Sequence, residues 1–181
     1  MHDRELENLV RAVVERVLDA SPAAAPAASP RVVAVGADHG GFPLKEDLKP
    51  FLSTIGWEPL DLGTHSADAV DYPDFAVAVA RAVAERRAAF GIMVDGAGIG
   101  SCMAANKVPG VRAALCYDLT TAMNAREHND ANVLTLGAGL IGAPLARQIV
   151  KTFLATACTE ERHRRRVAKI DALDGAGAEA R

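Results

Sequence analysis

The chain has 181 residues, half of them hydrophobic, with a formal charge of −3 and only 4% aromatic residues. That length predicts one domain with a sizeable core; the mild acidity and scarce aromatics exclude a nucleic-acid-binding surface, and no apolar run is long enough for a membrane span. Cys102, Cys116 and Cys158 are odd in number and lack ligand-like spacing, so neither a disulfide framework nor a zinc site is expected, and a reducing compartment fits.

The first twenty residues form a unit of their own. Leu6, Leu9, Val10, Val13, Val14, Val17 and Leu18 recur at helical spacing, with Asp3 placed to cap the start. Acidic and basic residues from Asp3 to Arg16 break the segment up, so a secretory signal is not expected and a cytoplasmic location is. Residues 21–30, Ser-Pro-Ala-Ala-Ala-Pro-Ala-Ala-Ser-Pro, read as a semi-rigid linker. A helix this short is marginal alone, so its apolar stripe needs a partner. Docking on its own domain or across a dimer is one reading. The other is a sorting tag: residues 1–20 followed by a Pro/Ala tether resemble the encapsulation peptides of bacterial microcompartment cargo enzymes. That resemblance implies a shell protein as partner and a location inside a microcompartment. A membrane-surface helix fits less well, because the polar face carries more acid than base.

From Arg31 the pattern changes to alternating strands and helices. Val32–Val35 is a β-branched strand, followed by a helical pattern through Leu44, Leu48, Phe51 and Leu52, a turn at Gly56 and a strand near Trp57–Leu62. Pro73 opens a helix through Phe75, Val79 and Val83, and Phe90–Asp95 is a buried-type strand. A helix over Ser101–Lys107 follows, then strands Val111–Cys116 and Asn132–Leu136 with a helix from Leu119 to Glu127 between them. Helices near Pro144–Ala155 and Glu160–Leu173 close the domain, and the tail from Asp174 to Arg181 is expected to fray. The alternation implies a parallel sheet covered on both faces, in an α/β domain spanning residues 31–173.

Ligands bind at the carboxyl ends of strands in such sheets. Three polar clusters are placed there by the pattern: Asp38-His39, Asp95 with its glycines, and Glu127-His-Asn-Asp130. The turn Gly96-Ala-Gly-Ile-Gly100 lets backbone N–H groups converge on an anion. It lacks the spacing of a dinucleotide fingerprint and the Gly-Lys-Ser/Thr of a P-loop, and alone it also fits a simple tight turn.

Six segments taken together carry a resemblance. Val35–Lys45, Asp71-Tyr-Pro73, Asp95–Gly100, Ala104–Ala113, Arg126–Leu134 and Arg162-His-Arg-Arg-Arg166 resemble, in order, the motifs of ribose-5-phosphate isomerase B and its galactose-6-phosphate isomerase relatives. The resemblance implies a three-layer Rossmann-like sandwich around a central, mostly parallel five-stranded sheet. It implies metal-free aldose–ketose isomerisation with no organic cofactor, in a homodimer with sites at the subunit interface. Residue by residue it implies that His128 assists ring opening and Asn129 holds substrate oxygens. Asp38, His39 and Tyr72 would contact the substrate, and Arg162 and Arg166 would bind phosphate with His39. Gly96, Ala97, Gly98, Gly100 and Ser101 would hold the enediolate. Each residue also has a plain structural reading: a turn for Asp38 and His39, a helix end for His128, a solvated face for the arginines.

The sequence departs from the family pattern at four positions. Asp95 stands where members commonly have a cysteine base, and Ser101 where another branch has a glutamate. Ala97 replaces a hydroxyl residue, and Gly139 a phosphate-contacting arginine. A carboxylate is a competent base for a carbon acid beside a carbonyl, so Asp95 is expected to move the proton. The expected reaction is ribose 5-phosphate to ribulose 5-phosphate through a cis-enediolate. A hexose 6-phosphate substrate, or a non-catalytic sugar-phosphate-binding protein, are the alternatives.

Overall fold

The computed structural model describes residues 31–176. The expected amino-terminal helix of residues 1–20, the expected linker of residues 21–30 and residues 177–181 lie outside the described residues. Five strands form the sheet: β1 Val32–Ala37, β2 Glu58–Asp61, β3 Phe90–Asp95, β4 Ala113–Leu115 and β5 Val133–Gly137. The helices are α1 Phe42–Thr54, α2 Tyr72–Ala84, α3 Ile99–Ala105, α4 Leu119–Asn129, α5 Ala143–Ala155, α6 Glu161–Asp171 and a last turn, α7, Leu173–Ala176.

The strand order is β2-β1-β3-β5-β4, and every pair is parallel. The central strands β1, β3 and β5 read as near-continuous Val, Ile, Leu and Met because both their faces are covered. Helices α1, α4 and α5 bury Leu44, Leu48, Leu52, Ala122, Ile149 and Phe153 against one face. Helix α2 and the end of α3 bury Val79, Val83 and Ala105 against the other. Full burial of each large aliphatic or aromatic side chain contributes about 1.5–3 kcal/mol. The result is the three-layer α/β sandwich anticipated from the sequence, with a sheet that is wholly parallel.

Order reverses between β1 and β3. The chain leaves β1 for β2 on one side and returns to β3 on the other. The loops after these two strands therefore diverge and leave a crevice at their carboxyl ends.

Several boundaries differ from the sequence expectation. Helix α3 starts at Ile99 and stops at Ala105, because Gly98 (φ +76°) supplies the left-handed turn that starts it two residues early. Helix α4 runs on to Asn129, so His128 and Asn129 are helical; the left-handed stop falls on Asp130 (φ +45°). The carboxyl-terminal tail is held further than expected: α7 adds a turn, and Asp174 Oδ2 accepts the Gly110 N–H at 2.6 Å.

Candidate active site

The loop after β1 is braced by its own aspartate. Asp38 is buried, and its Oδ1 accepts the Gly41 N–H at 2.8 Å while its own N–H donates to Val94 O at 3.1 Å. The carboxylate thus shapes the turn that opens α1. His39 is exposed, and its Nδ1 accepts the Val70 N–H at 3.3 Å. The assigned tautomer therefore places the neutral ring's proton on Nε2. A Cβ built on Gly40 would lie 3.9 Å from Gly96 N, so this loop faces the glycine turn across the crevice.

Below that loop sits a buried charge network. Lys45 is only 1% exposed, and its Nζ meets Asp61 Oδ1 at 2.6 Å and Glu46 at 3.1 Å. Lys49 adds a second cation on Asp61 Oδ2 at 2.7 Å. Partial burial works to raise the Asp61 carboxyl, but hydrogen bonds from Lys45, Lys49 and the Gly63 N–H outweigh it and bring it down to about 2. Asp61 thereby fixes Gly63, whose carbonyl accepts the Ala37 N–H at 2.7 Å just before Asp38.

The glycine turn binds an anion, and the anion is Asp95 itself. This last residue of β3 is 4% exposed. Its Oδ1 accepts the N–H groups of Ala97 (2.9 Å) and Gly98, and its Oδ2 accepts Ser101 N–H at 3.2 Å and Ser101 Oγ–H at 2.5 Å. A carboxylate offers about four lone-pair positions, so this loop saturates it. The expectation that the turn's amides stand ready for a ligand is corrected for Ala97, Gly98 and Ser101. Their N–H groups point inward, to the side chain that replaces the family's thiol.

Packing fixes the remaining turn residues. Tyr117 Oη donates to Ala97 O at 2.7 Å. The Tyr72 ring lies so close to Gly100 that a Cβ there would stand 2.5 Å from it, which places this partly exposed tyrosine on the glycine turn. Gly139 N–H donates to Gly96 O at 3.0 Å, and a Cβ on Gly139 would sit 3.0 Å from that oxygen. An arginine at position 139 would need this contact to yield.

The other half of the expected site lies elsewhere. His128 is on the last turn of α4, which ends before the amino end of β5, whereas Asp95 pairs with Gly137 at the carboxyl end. Arg126, one half-turn earlier, stacks 4.7 Å over Phe90, the first residue of β3. The five residue steps from Phe90 to Asp95 span about 17 Å of parallel strand. The expectation that Glu127–Asp130 joins the other clusters at the carboxyl edge is therefore corrected: one chain does not bring them together.

Around His128 the structure gathers a second cluster. Asn124 Nδ2 donates to His128 Nδ1 at 2.9 Å, leaving the neutral ring's proton on Nε2. Asn129 is exposed beside it, with its Nδ2 3.4 Å from Asn124 O. The His163 ring of α6 stacks on His128, with centroids 4.2 Å apart and planes at 19°. Burial, then the charges of His128, Arg162 and Arg166, push His163 below the usual histidine range, and its buried Nε2 has no partner among the described residues. Arg162 and Arg166 flank it on the exposed side of α6, Arg162 within 3.1 Å of Glu160. His163 and Tyr117 escape sequence reasoning. His163 reads as one member of a basic run, though its spacing to buried Val167 marks the inner face of that helix.

An open parallel sheet with polar loops meeting at its switch point defines a doubly wound α/β protein with a crevice at the strand ends. Residues 33–170 match the ribose/galactose isomerase family, and the chain belongs to it. It is 41% identical over 142 residues to ribose-5-phosphate isomerase B of Escherichia coli, covering 78% of this chain and 95% of that protein. Among solved structures, type B ribose 5-phosphate isomerase of Trypanosoma brucei superposes with a TM-score of 0.77 at 51% identity, covering 79% of this chain and 98% of that one. Ribose-5-phosphate isomerase B of Clostridium thermocellum gives 0.79 at 44% identity, with 81% and 99% covered.

Proposed function

We propose that this chain interconverts ribose 5-phosphate and ribulose 5-phosphate, as a homodimer whose sites each draw on both copies. The carrying observation is the division of the expected site. Asp38, His39, Tyr72 and Asp95–Ser101 stand at one end of the sheet, while His128, Asn129, Arg162 and Arg166 stand at the other. Two copies related by a two-fold axis would set the first group of one against the second group of its partner, twice over. Exposed apolar side chains on α3 and α4, namely Ile99, Met103, Leu119 and Met123, supply a surface for that pairing.

The chemistry follows in two stages. His128 gives its Nε2 proton to the ring oxygen and takes back the C1 hydroxyl proton through solvent, which opens the sugar to its aldehyde. Asp95 then removes the C2 proton and returns it to C1, while the O2 proton passes to O1, converting aldose to ketose through a cis-enediolate. Ser101 is the residue that must yield: its hydroxyl turns from Asp95 Oδ2 to the enediolate oxygen and frees a lone pair for the C2 proton. Gly96, Ala97, Gly98 and Gly100 line the enediolate, with Asp38, Tyr72 and Asn129 on the sugar hydroxyls. Arg162, Arg166 and His39 hold the phosphate, and no metal or organic cofactor takes part.

Purified protein in deuterium oxide should incorporate deuterium at the transferred position of ribose 5-phosphate and release ketose. Turnover of a hexose 6-phosphate instead would change the substrate and keep the mechanism. One observation favours a non-catalytic sugar-phosphate-binding protein: the Asp95 carboxylate is fully engaged by its own loop. Binding without exchange would establish that reading and sink the isomerase.

For residues 1–20 we infer an encapsulation role, resting on the stripe and tether pattern alone. A fluorescent protein carrying residues 1–30 should enter a microcompartment shell; uniform fluorescence in shell-bearing cells would refute it. No helix among the described residues is long and apolar enough to cross a membrane.

A further inference from the structure

A cleft of about 570 Å3 opens at the amino-terminal edge of the sheet, away from the Asp38 and Asp95 loops. Its floor is mostly apolar, formed by Ile55, Trp57, Phe90 and Leu154, with the buried guanidinium of Arg126 lying 4.7 Å over the Phe90 ring. Trp57 and Phe90 meet edge to face with centroids 5.5 Å apart. Arg31 and Lys151 stand exposed on its walls, Arg31 5.8 Å from the centre of the Trp57 ring. Neither is assigned to the active site.

The course of the chain points to an occupant. Arg31 is both the first described residue and part of the cleft wall, so the tether of residues 21–30 joins the domain at the cleft's rim. Ten residues of Pro-rich chain reach about 31 Å when extended, enough to bring residues 1–20 back over the opening. Those residues carry the apolar stripe from Leu6 to Leu18, which suits the apolar floor. Their charged residues are Asp3, Glu5, Glu7, Glu15 and Asp19 against Arg4, Arg11 and Arg16, an acidic balance that suits Arg31 and Lys151.

We propose that this cleft seats the chain's own amino-terminal segment, with the stripe around Leu9 and Val13 resting on Trp57 and Phe90. A short tether holds the segment at a millimolar effective concentration, so a weak intrinsic contact suffices to keep it seated. Seating in the cleft competes with capture of the stripe by any other protein, a shell included. The proposal stands independently of the isomerase reading.

Trp57 is the chain's one tryptophan, half-buried on the cleft floor, so its emission reports on the cleft alone. In the full chain, Leu9→Glu with Val13→Glu should raise acrylamide quenching of Trp57 about twofold and shift its emission to the red, with the melting transition unchanged. Equal quenching in the two proteins would overturn the proposal. So would a difference that vanishes on dilution from about 50 µM to about 0.5 µM, since the stripe would then sit on a neighbouring copy. On the cleft side, Lys151→Glu should speed amide hydrogen exchange across residues 5–18 about fivefold. Unchanged exchange there would also overturn it.

Discussion

The loops after β1 and β3 satisfy their own polar groups, whereas the α4–α6 corner leaves some of its own unsatisfied. Asp38 closes on Gly41, and Asp95 takes up the amides of its turn. At the other end the buried Nε2 of His163 has no partner, and Arg166 makes no ion pair among the described residues. A buried polar atom left alone costs about 1–3 kcal/mol, which a fold tolerates where a ligand or second chain will complete it. One end of the sheet is a finished scaffold, and the other, in the proposed homodimer, is half of a joint.

The sharpest way to break this contrast is at Asp95. If Asp95 is the base, Asp95→Asn should lower isomerase turnover by about 10²–10⁴-fold, with the sedimentation coefficient unchanged. Full activity in that variant would move the base elsewhere. Next in size is the scaffold beneath the finished end. Asp61→Asn leaves buried Lys45 with Glu46 as its remaining carboxylate partner and should cost about 3 kcal/mol in chemical denaturation. Removing a phosphate contact is milder: Arg166→Ala should raise KM about 10–100-fold and leave kcat nearly unchanged.

Mixing tests the joint directly. Asp95→Asn and His128→Asn chains, each inactive alone, should regain about one quarter of wild-type activity when refolded together, because half the dimers then hold one intact site of two. No recovery would place both residues in a single chain's site. The smallest effect is on acid stability. Asp61 titrates at about 2 in the folded protein, below its ordinary value of 3.8. Its stabilising contribution is present above about pH 4 and is lost as pH falls toward 2, and the Asn variant should show a flatter melting profile over that range.

Much of this was legible in the residues. Phe90–Asp95 reads as a buried strand and is one, since its apolar run is bounded by Gly96 and by the turn before Phe90. The end of α4 was not legible: Glu127, His128 and Asn129 continue no apolar stripe, and Asp130 stops the helix without a glycine or proline. That two-residue error concealed the end of the sheet to which His128 belongs. The glycine turn announced an anion, but no pattern could say that its amides close on Asp95. The answer depends on how far a carboxylate reaches within a turn, not on residue order. His163 stayed hidden because stacking on His128 is a contact between two helices far apart in sequence.

The carboxylate at the end of β3 also changes what can damage this protein. A thiol in that position would be open to alkylation and to stepwise oxidation by peroxides. Asp95 offers no sulfur to attack. Cys102 and Cys116, the cysteines closest to this turn in the chain, are also subdued, because burial raises Cys102 and pushes Cys116 up to about 11, leaving little thiolate at neutral pH. The centre of this turn thus carries no thiol for peroxide or iodoacetamide to modify.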